Sequence, residues 1–176
     1  MVKVGDAYYW YGEDRSNGYD NSPGVHAYMS TDLYNWTDLG VALRAVTSKS
    51  QLTDKSNADY AYFDKAYNLT KSDGSVDAAK ADAIFPYLNT NPDQDGDGAV
   101  DSVQGIFERP KIIYNKKNKQ YVLWWHSDGS TTPGGSNYAR ALAGVAVSDN
   151  PAGPFTMVGA YRLPNQNNWK EAAGNP

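Results

Sequence analysis

The chain has 176 residues, 40% of them apolar, a mean hydropathy of -0.66 and a net charge of -4, enough for one soluble domain with a core. No run approaches the roughly 20 apolar residues of a membrane helix, and the acidic balance argues weakly against a nucleic-acid partner. With no cysteine, disulfides and thiolate metal sites are excluded.

In chain order, Met1-Val2-Lys3-Val4-Gly5-Asp6 lacks the long apolar core of a signal peptide. It reads as a strand and turn already under way, as though the chain starts inside a fold. Ala7-Tyr8-Tyr9-Trp10-Tyr11 is a β-rich run. Residues 25–30 alternate, 31–33 turn, Asn35-Trp36-Thr37 resumes, and Gly40-Val41-Ala42-Leu43 closes the unit. Composition then changes. Residues 48–60 are polar, 76–84 predict a short helix with Ser75 as N-cap, and 89–105 are turn-rich, so 44–107 reads as an insertion within the domain. The strand grammar returns in Ile112-Ile113-Tyr114 and Tyr121-Val122-Leu123-Trp124-Trp125-His126. Residues 119–124 match the opening strand, 144–149 match 24–30, and 155–159 match 36–40. Residues 165–176 read as a polar connector. A repeat of four short strands is the unit of a β-propeller blade. Two blades cannot close a ring and would leave faces and edges exposed, so the chain is expected to be a piece of a longer protein.

Glu108-Arg109-Pro110-Lys111 is the most informative stretch. A carboxylate just ahead of a strand buried on both faces should project from the sheet end into a pocket, where charges are costly unless paired or bound to a ligand. The bland alternative is an ion pair of Glu108 with Arg109 or Lys111. Glu13, at the end of the opening strand, is the second candidate, against the alternative that Glu13 and Asp14 are ordinary turn acids. Acids on the inner strands of a propeller face each other, and glycoside hydrolysis needs two carboxyl groups about the bond. The 14 tyrosines and 5 tryptophans offer flat apolar faces that suit sugar rings, or an aromatic β core.

Asp93, Asp95, Asp97 and Asp101 supply oxygens at positions one, three, five and nine of a calcium-type loop, with Gly98 at six. The acid expected at position twelve is replaced by Gln104, so the loop is not a complete EF-hand. Structural Ca²⁺, stiffening the approach to Glu108, is weighed against a plain acidic surface loop. His126-Ser127-Asp128 cannot form a serine triad, because adjacent strand residues point to opposite faces, and His126 is expected to be a buried, hydrogen-bonded residue. With two histidines in all, a histidine metal site is not expected. Tyr138, after Gly134-Gly135-Ser136, is placed to reach a sugar hydroxyl. No phosphate loop, zinc pattern or dinucleotide fingerprint is present.

Taken together, Tyr8-Tyr9-Trp10-Tyr11-Gly12-Glu13, Ser30-Thr31-Asp32-Leu33-Tyr34-Asn35-Trp36, Glu108-Arg109-Pro110-Lys111, Trp124-Trp125-His126-Ser127-Asp128, Gly144-Val145-Ala146 and Gly153-Pro154-Phe155 resemble glycoside hydrolase family 43, most closely its exo-β-1,3-galactanase branch. The resemblance covers nearly all of the chain outside the insertion. It implies an all-β fold, about two blades of a five-bladed β-propeller with a loop and helix insertion, in a family of inverting enzymes that act on plant polysaccharides. It further implies that Glu13 contacts the sugar, that Glu108 supports catalysis at the centre of the subsite, and that Tyr138 lies on the substrate rim. The family's pKa-tuning aspartate would fall just beyond Pro176, its general acid in a later blade, and the base of other branches ahead of the first strand. The expectation is therefore a fragment of a secreted bacterial β-1,3-galactanase-like glycosidase, inactive by itself, with an oligo- or polysaccharide and the remaining blades as partners. It would need no catalytic cofactor. A non-catalytic sugar-binding propeller, or an arabinofuranosidase or xylosidase of the same family, are the alternatives.

Overall fold

The computed structural model describes residues 1–18 and 21–162; the expected connector at 165–176 lies outside them. Among the described residues, eight strands form two four-stranded antiparallel sheets, with no closed barrel. β1 (Val2–Val4), β2 (Ala7–Glu13), β3 (Gly24–Ser30) and β4 (Thr37–Arg44) pair in chain order, as do β5 (Gly105–Asn115), β6 (Gln120–Gly129), β7 (Leu142–Ser148) and β8 (Thr156–Tyr161). The repeat read in the sequence is thus present in space: 119–124 enter β6 as 7–11 enter β2, and 155–159 enter β8 as 36–40 enter β4.

Side-chain alternation decides which faces meet. In β2 Tyr11 is buried while Trp10 is 51% exposed, because successive strand residues point to opposite faces. Tyr11 turns toward the second sheet, where its ring meets Phe155 edge-on at 6.3 Å and its hydroxyl donates to the Pro151 carbonyl. The backbone N–H of Phe155 donates to the Ala42 carbonyl at 2.7 Å, joining the sheets directly. Val25, Ala27 and Leu43 from one side, and Phe107, Ile112, Leu123 and Trp125 from the other, belong to one core. The larger aliphatic and phenyl side chains among them each contribute roughly 1.5–3 kcal/mol by leaving water. Trp125 stacks on Phe107 at 5.6 Å and lies across its cross-strand partner Gly144. A Cβ at 144 would sit 2.1 Å from the indole, so glycine is required there.

Two expectations about β5 change. The strand begins at Gly105, so Glu108 lies inside it rather than just ahead of it. Nor is β5 buried on both faces along its whole length: residues 105–108 are, but beyond the bulge Ile112 is buried while Ile113 and Tyr114 are exposed.

The insertion is more helical than the sequence suggests. It contains α1 (Ser50–Thr53), α2 (Tyr60–Tyr67) and α3 (Ala78–Leu88), so the described residues are mostly β but not all-β. α3 is capped by Asp77, whose carboxylate accepts the Lys80 N–H at 3.2 Å. Ser75 is not the cap; its hydroxyl donates to Asp73 at 2.6 Å. α3 continues through Pro86, which lacks the N–H that would bond one turn back. Leu52, Phe63, Phe85 and Leu88 tie the helices into the common core.

Candidate active site

Glu13 is the last residue of β2, and the chain turns sharply after it. The Asp14 carboxylate accepts the Ser16 N–H at 2.9 Å, and the Ser22 hydroxyl donates to the Asp14 carbonyl at 2.7 Å. That turn brings Arg15 back beside Glu13, with Nη2 3.1 Å from Glu13 Oε2.

β5 arrives from the other sheet. Its pairing with β6 shifts register between Glu108 and Lys111, and Arg109 in this bulge has φ of 53°. Positive φ is uncommon for a non-glycine residue and costs of order 1–3 kcal/mol. The bulge frees the Arg109 N–H from the ladder, and it donates instead to Glu13 Oε1 at 2.7 Å.

Glu108 is 7% exposed. Its Oε1 accepts the Tyr138 hydroxyl at 2.7 Å and lies 3.8 Å from the Arg15 guanidinium, while its Oε2 faces His126 Nδ1 at 3.2 Å. The pairing of Glu108 with Arg109 or Lys111 is not found: Arg109 offers its backbone to Glu13, and Lys111 donates to the Pro110 carbonyl at 3.4 Å. The structure therefore brings Glu13, Glu108 and Tyr138 together, with Arg15 shared between the two carboxylates. Beside them lies a cavity of about 530 Å³ lined by Arg109, Lys111, Trp125, His126, Leu142 and neighbouring alanines, within the size range of small-ligand pockets.

His126 is partly exposed rather than buried, and its second nitrogen, Nε2, lies 2.9 Å from Asp128 Oδ2. Ser127 points to the other face, where its buried hydroxyl has no hydrogen-bond partner among the described residues, so it forms no serine triad with His126 and Asp128. His126 and Asp128, two apart on β6, share one face. Tyr138 is 54% exposed, and its ring stacks against His126 at 6.2 Å. An exposed aromatic face whose hydroxyl is fixed from behind can lie against a sugar ring. Carboxylates accept hydrogen bonds and donate none, which suits Glu13 and Glu108 to sugar hydroxyls.

The aspartate-rich loop forms a second group of carboxylates. One carboxylate oxygen each from Asp93, Asp95 and Asp97 can be chosen so that all lie within 4.8 Å of one another, an all-oxygen set that fits a hard cation such as Ca²⁺. Asp101 is not part of that group; its Oδ1 accepts the Gln94 N–H at 3.0 Å. Asp93 itself accepts the N–H groups of Gly96 and Gly98 at 2.7 and 2.9 Å.

Arg15, His126 as a partner of Glu108, and Asp128 were not singled out as site residues from sequence. The one available signal was Arg15 standing two residues after Glu13; the rest depends on how the sheets pack.

No family model matches the chain, and no curated protein does. Solved structures do. An exo-β-1,3-galactanase from Phanerochaete chrysosporium, determined with β-1,3-galactotriose, is 28% identical over 92% of this chain with a TM-score of 0.55; the chain covers 24% of it. The same enzyme determined with galactose is 27% identical with a TM-score of 0.55, covering 92% of this chain and 25% of the other. An exo-β-1,3-galactanase from Clostridium thermocellum is 27% identical over 95% of this chain and 24% of its own, with a TM-score of 0.51. The chain thus spans about a quarter of the length of these relatives.

These likenesses support a glycoside hydrolase as the class of protein. More particularly, the chain resembles glycoside hydrolase family 43, on the side of its exo-β-1,3-galactanases.

Proposed function

We propose that this chain carries part of the galactoside-binding site of an inverting glycosidase acting on β-1,3-galactan, such as the backbone of arabinogalactan. The observation that carries this reading is the meeting of Glu13 and Glu108 at one guanidinium, with Tyr138 bonded to Glu108 and half exposed. Glu13 and Glu108 accept hydroxyls of the terminal galactose, and Tyr138 supplies an apolar wall. Each carboxylate is engaged by donors in its own sheet or the neighbouring one. Their part is to bind the sugar and set the local charge, while the acid that protonates the leaving oxygen comes from elsewhere in the full polypeptide.

Two apolar surfaces left exposed among the described residues support further sheets stacking on this pair, as in a five-bladed propeller. On the first sheet Trp10 lies 5.6 Å from Tyr28 and 6.0 Å from Trp36, on the face turned away from the second sheet. On the second, Ile113 and Trp124 are 56% and 39% exposed. The complete enzyme would act outside the cell, where such polymers are met.

Titrating the chain with β-1,3-galactotriose, xylotriose and arabinotriose tests the substrate class. Preferential binding of the galactoside supports it. Equal or stronger binding of xylo- or arabino-oligosaccharides moves the assignment to another activity of the family.

A further inference from the structure

Both oxygens of the Glu108 carboxylate trace back to one buried acid. Oε2 faces His126 Nδ1 at 3.2 Å, and Nε2 of the same ring faces Asp128 Oδ2 at 2.9 Å. Oε1 accepts the Tyr138 hydroxyl at 2.7 Å. The loop that delivers Tyr138 is closed by the other Asp128 oxygen: Oδ1 accepts the N–H groups of Gly129, Arg140 and Ala141 at 2.9, 2.9 and 3.0 Å. The same loop is held from its far side by Arg140, whose guanidinium donates to the Ser130 carbonyl at 2.6 Å and to the Pro86 carbonyl at the end of α3.

Asp128 is 2% exposed and stands behind His126 rather than beside the cavity. Burial alone would raise its carboxyl, but the three N–H groups and nearby His126 outweigh it and hold the carboxyl below its ordinary range. A buried carboxylate this fully engaged is rigid, and it fixes whatever it holds. Because both carboxylates only accept, the ring bridges them with a proton on each nitrogen, Nε2–H toward Asp128 and Nδ1–H toward Glu108, which sets its orientation.

We infer that Asp128 is the positioning residue of this site, holding Glu108 by both oxygens at once, through His126 on one side and the Tyr138 loop on the other. The inference rests on the reading of Glu108 as a sugar-binding group.

Asp128→Asn separates the two arms. Its remaining oxygen still serves the three backbone N–H groups, so the loop stays closed, but its amide now donates toward His126 Nε2. Long-range ¹⁵N–¹H spectra of the imidazoles read this directly, since the chain has two histidines and His26→Gln assigns them. Nε2 of His126 is expected to carry a proton in the wild type and to lose it in Asp128→Asn, with affinity for β-1,3-galactotriose falling at least roughly tenfold. In Glu108→Gln, Nε2 should keep its proton, a result that still decides the matter if Asp128→Asn does not fold; its loss there overturns the inference. An unchanged Nε2 in folded Asp128→Asn also overturns it, as does unchanged affinity. If no form binds a galactoside and yet the Nε2 switch is seen, the tether from Asp128 to His126 stands and the galactoside reading falls.

Discussion

The backbone N–H of Arg109 donates to Oε1 of Glu13 across the junction of the two sheets. It is available because a bulge in β5 places Arg109 at positive φ, removing that N–H from its own ladder. The geometry couples a strained backbone position to a candidate sugar-binding acid. Glu13→Gln keeps an acceptor for this bond and is expected to leave Tm within about 2 °C. Glu13→Ala removes it and should lower Tm by roughly 2–6 °C, the effect of about 1–1.5 kcal/mol in a chain of this size. Thermal denaturation of both variants checks this, and equal Tm values would remove the structural role of the bond.

Tyr138 offers Glu108 a hydroxyl and offers solvent a ring face. Tyr138→Phe removes the hydroxyl alone and should weaken galactotriose binding about two- to tenfold, the worth of one hydrogen bond. Tyr138→Ala removes the ring as well and should weaken it further. Calorimetric titration of both separates the contributions, and a Phe variant weaker than the Ala variant would contradict the assignment.

His26 lies between two acids on the first sheet, with Nδ1 2.8 Å from Asp14 and Nε2 2.5 Å from Asp38. Partial burial alone would lower its pKa, but Asp38 and Asp14 outweigh that and raise it above the ordinary 6.5. A raised imidazole stabilises the fold fully below 6.5, and that stability is lost as pH climbs through the folded value. For Asp14, burial alone would raise the pKa, but the Ser16 and His26 bonds hold it below 3.8. Its contribution is present above 3.8 and is lost as pH falls through the folded value. The cluster therefore helps most between about pH 4 and 6.5. Tm should decline as pH rises from 6.5, and His26→Gln should flatten that decline. An identical pH dependence in the variant would remove this cluster from the account.

The strands and their repeat were legible because alternating aromatic residues and glycine-marked turns carry a two-residue period that survives packing. α2 was not legible: Tyr60-Ala61-Tyr62-Phe63 has the composition of a strand. Its helix is settled by burying Tyr60 and Phe63, three apart, in the core. Of the candidate site, Glu13 could be named from its strand-end position, and Glu108 and Tyr138 from their motifs, although Glu108 lies within β5 rather than at its end. Arg15 and Asp128 could not be named. Arg15 acquires its role only when the two sheets meet, and Asp128 only when the 129–141 loop folds back onto its carboxylate. The proximity of Asp93, Asp95 and Asp97 followed from local spacing, whereas the place of Asp101 outside their group depends on the fold of the loop between them.

The calcium expectation has a separate readout. Millimolar Ca²⁺ is expected to raise Tm by about 2–6 °C, as ligand binding to the folded state alone requires, and a chelator should reverse it. Asp95→Asn should blunt the response. A Tm indifferent to both additions leaves residues 93–101 as an acidic surface loop.

The central claim is that Glu13 and Glu108 form one galactoside-binding site, and it is tested most directly by calorimetric titration of β-1,3-galactotriose into wild type, Glu13→Gln and Glu108→Gln. Loss of a charge-assisted bond is worth about 1.5–3 kcal/mol, so each variant should bind at least roughly tenfold more weakly while keeping its fold. Wild-type affinity in either variant would contradict the claim.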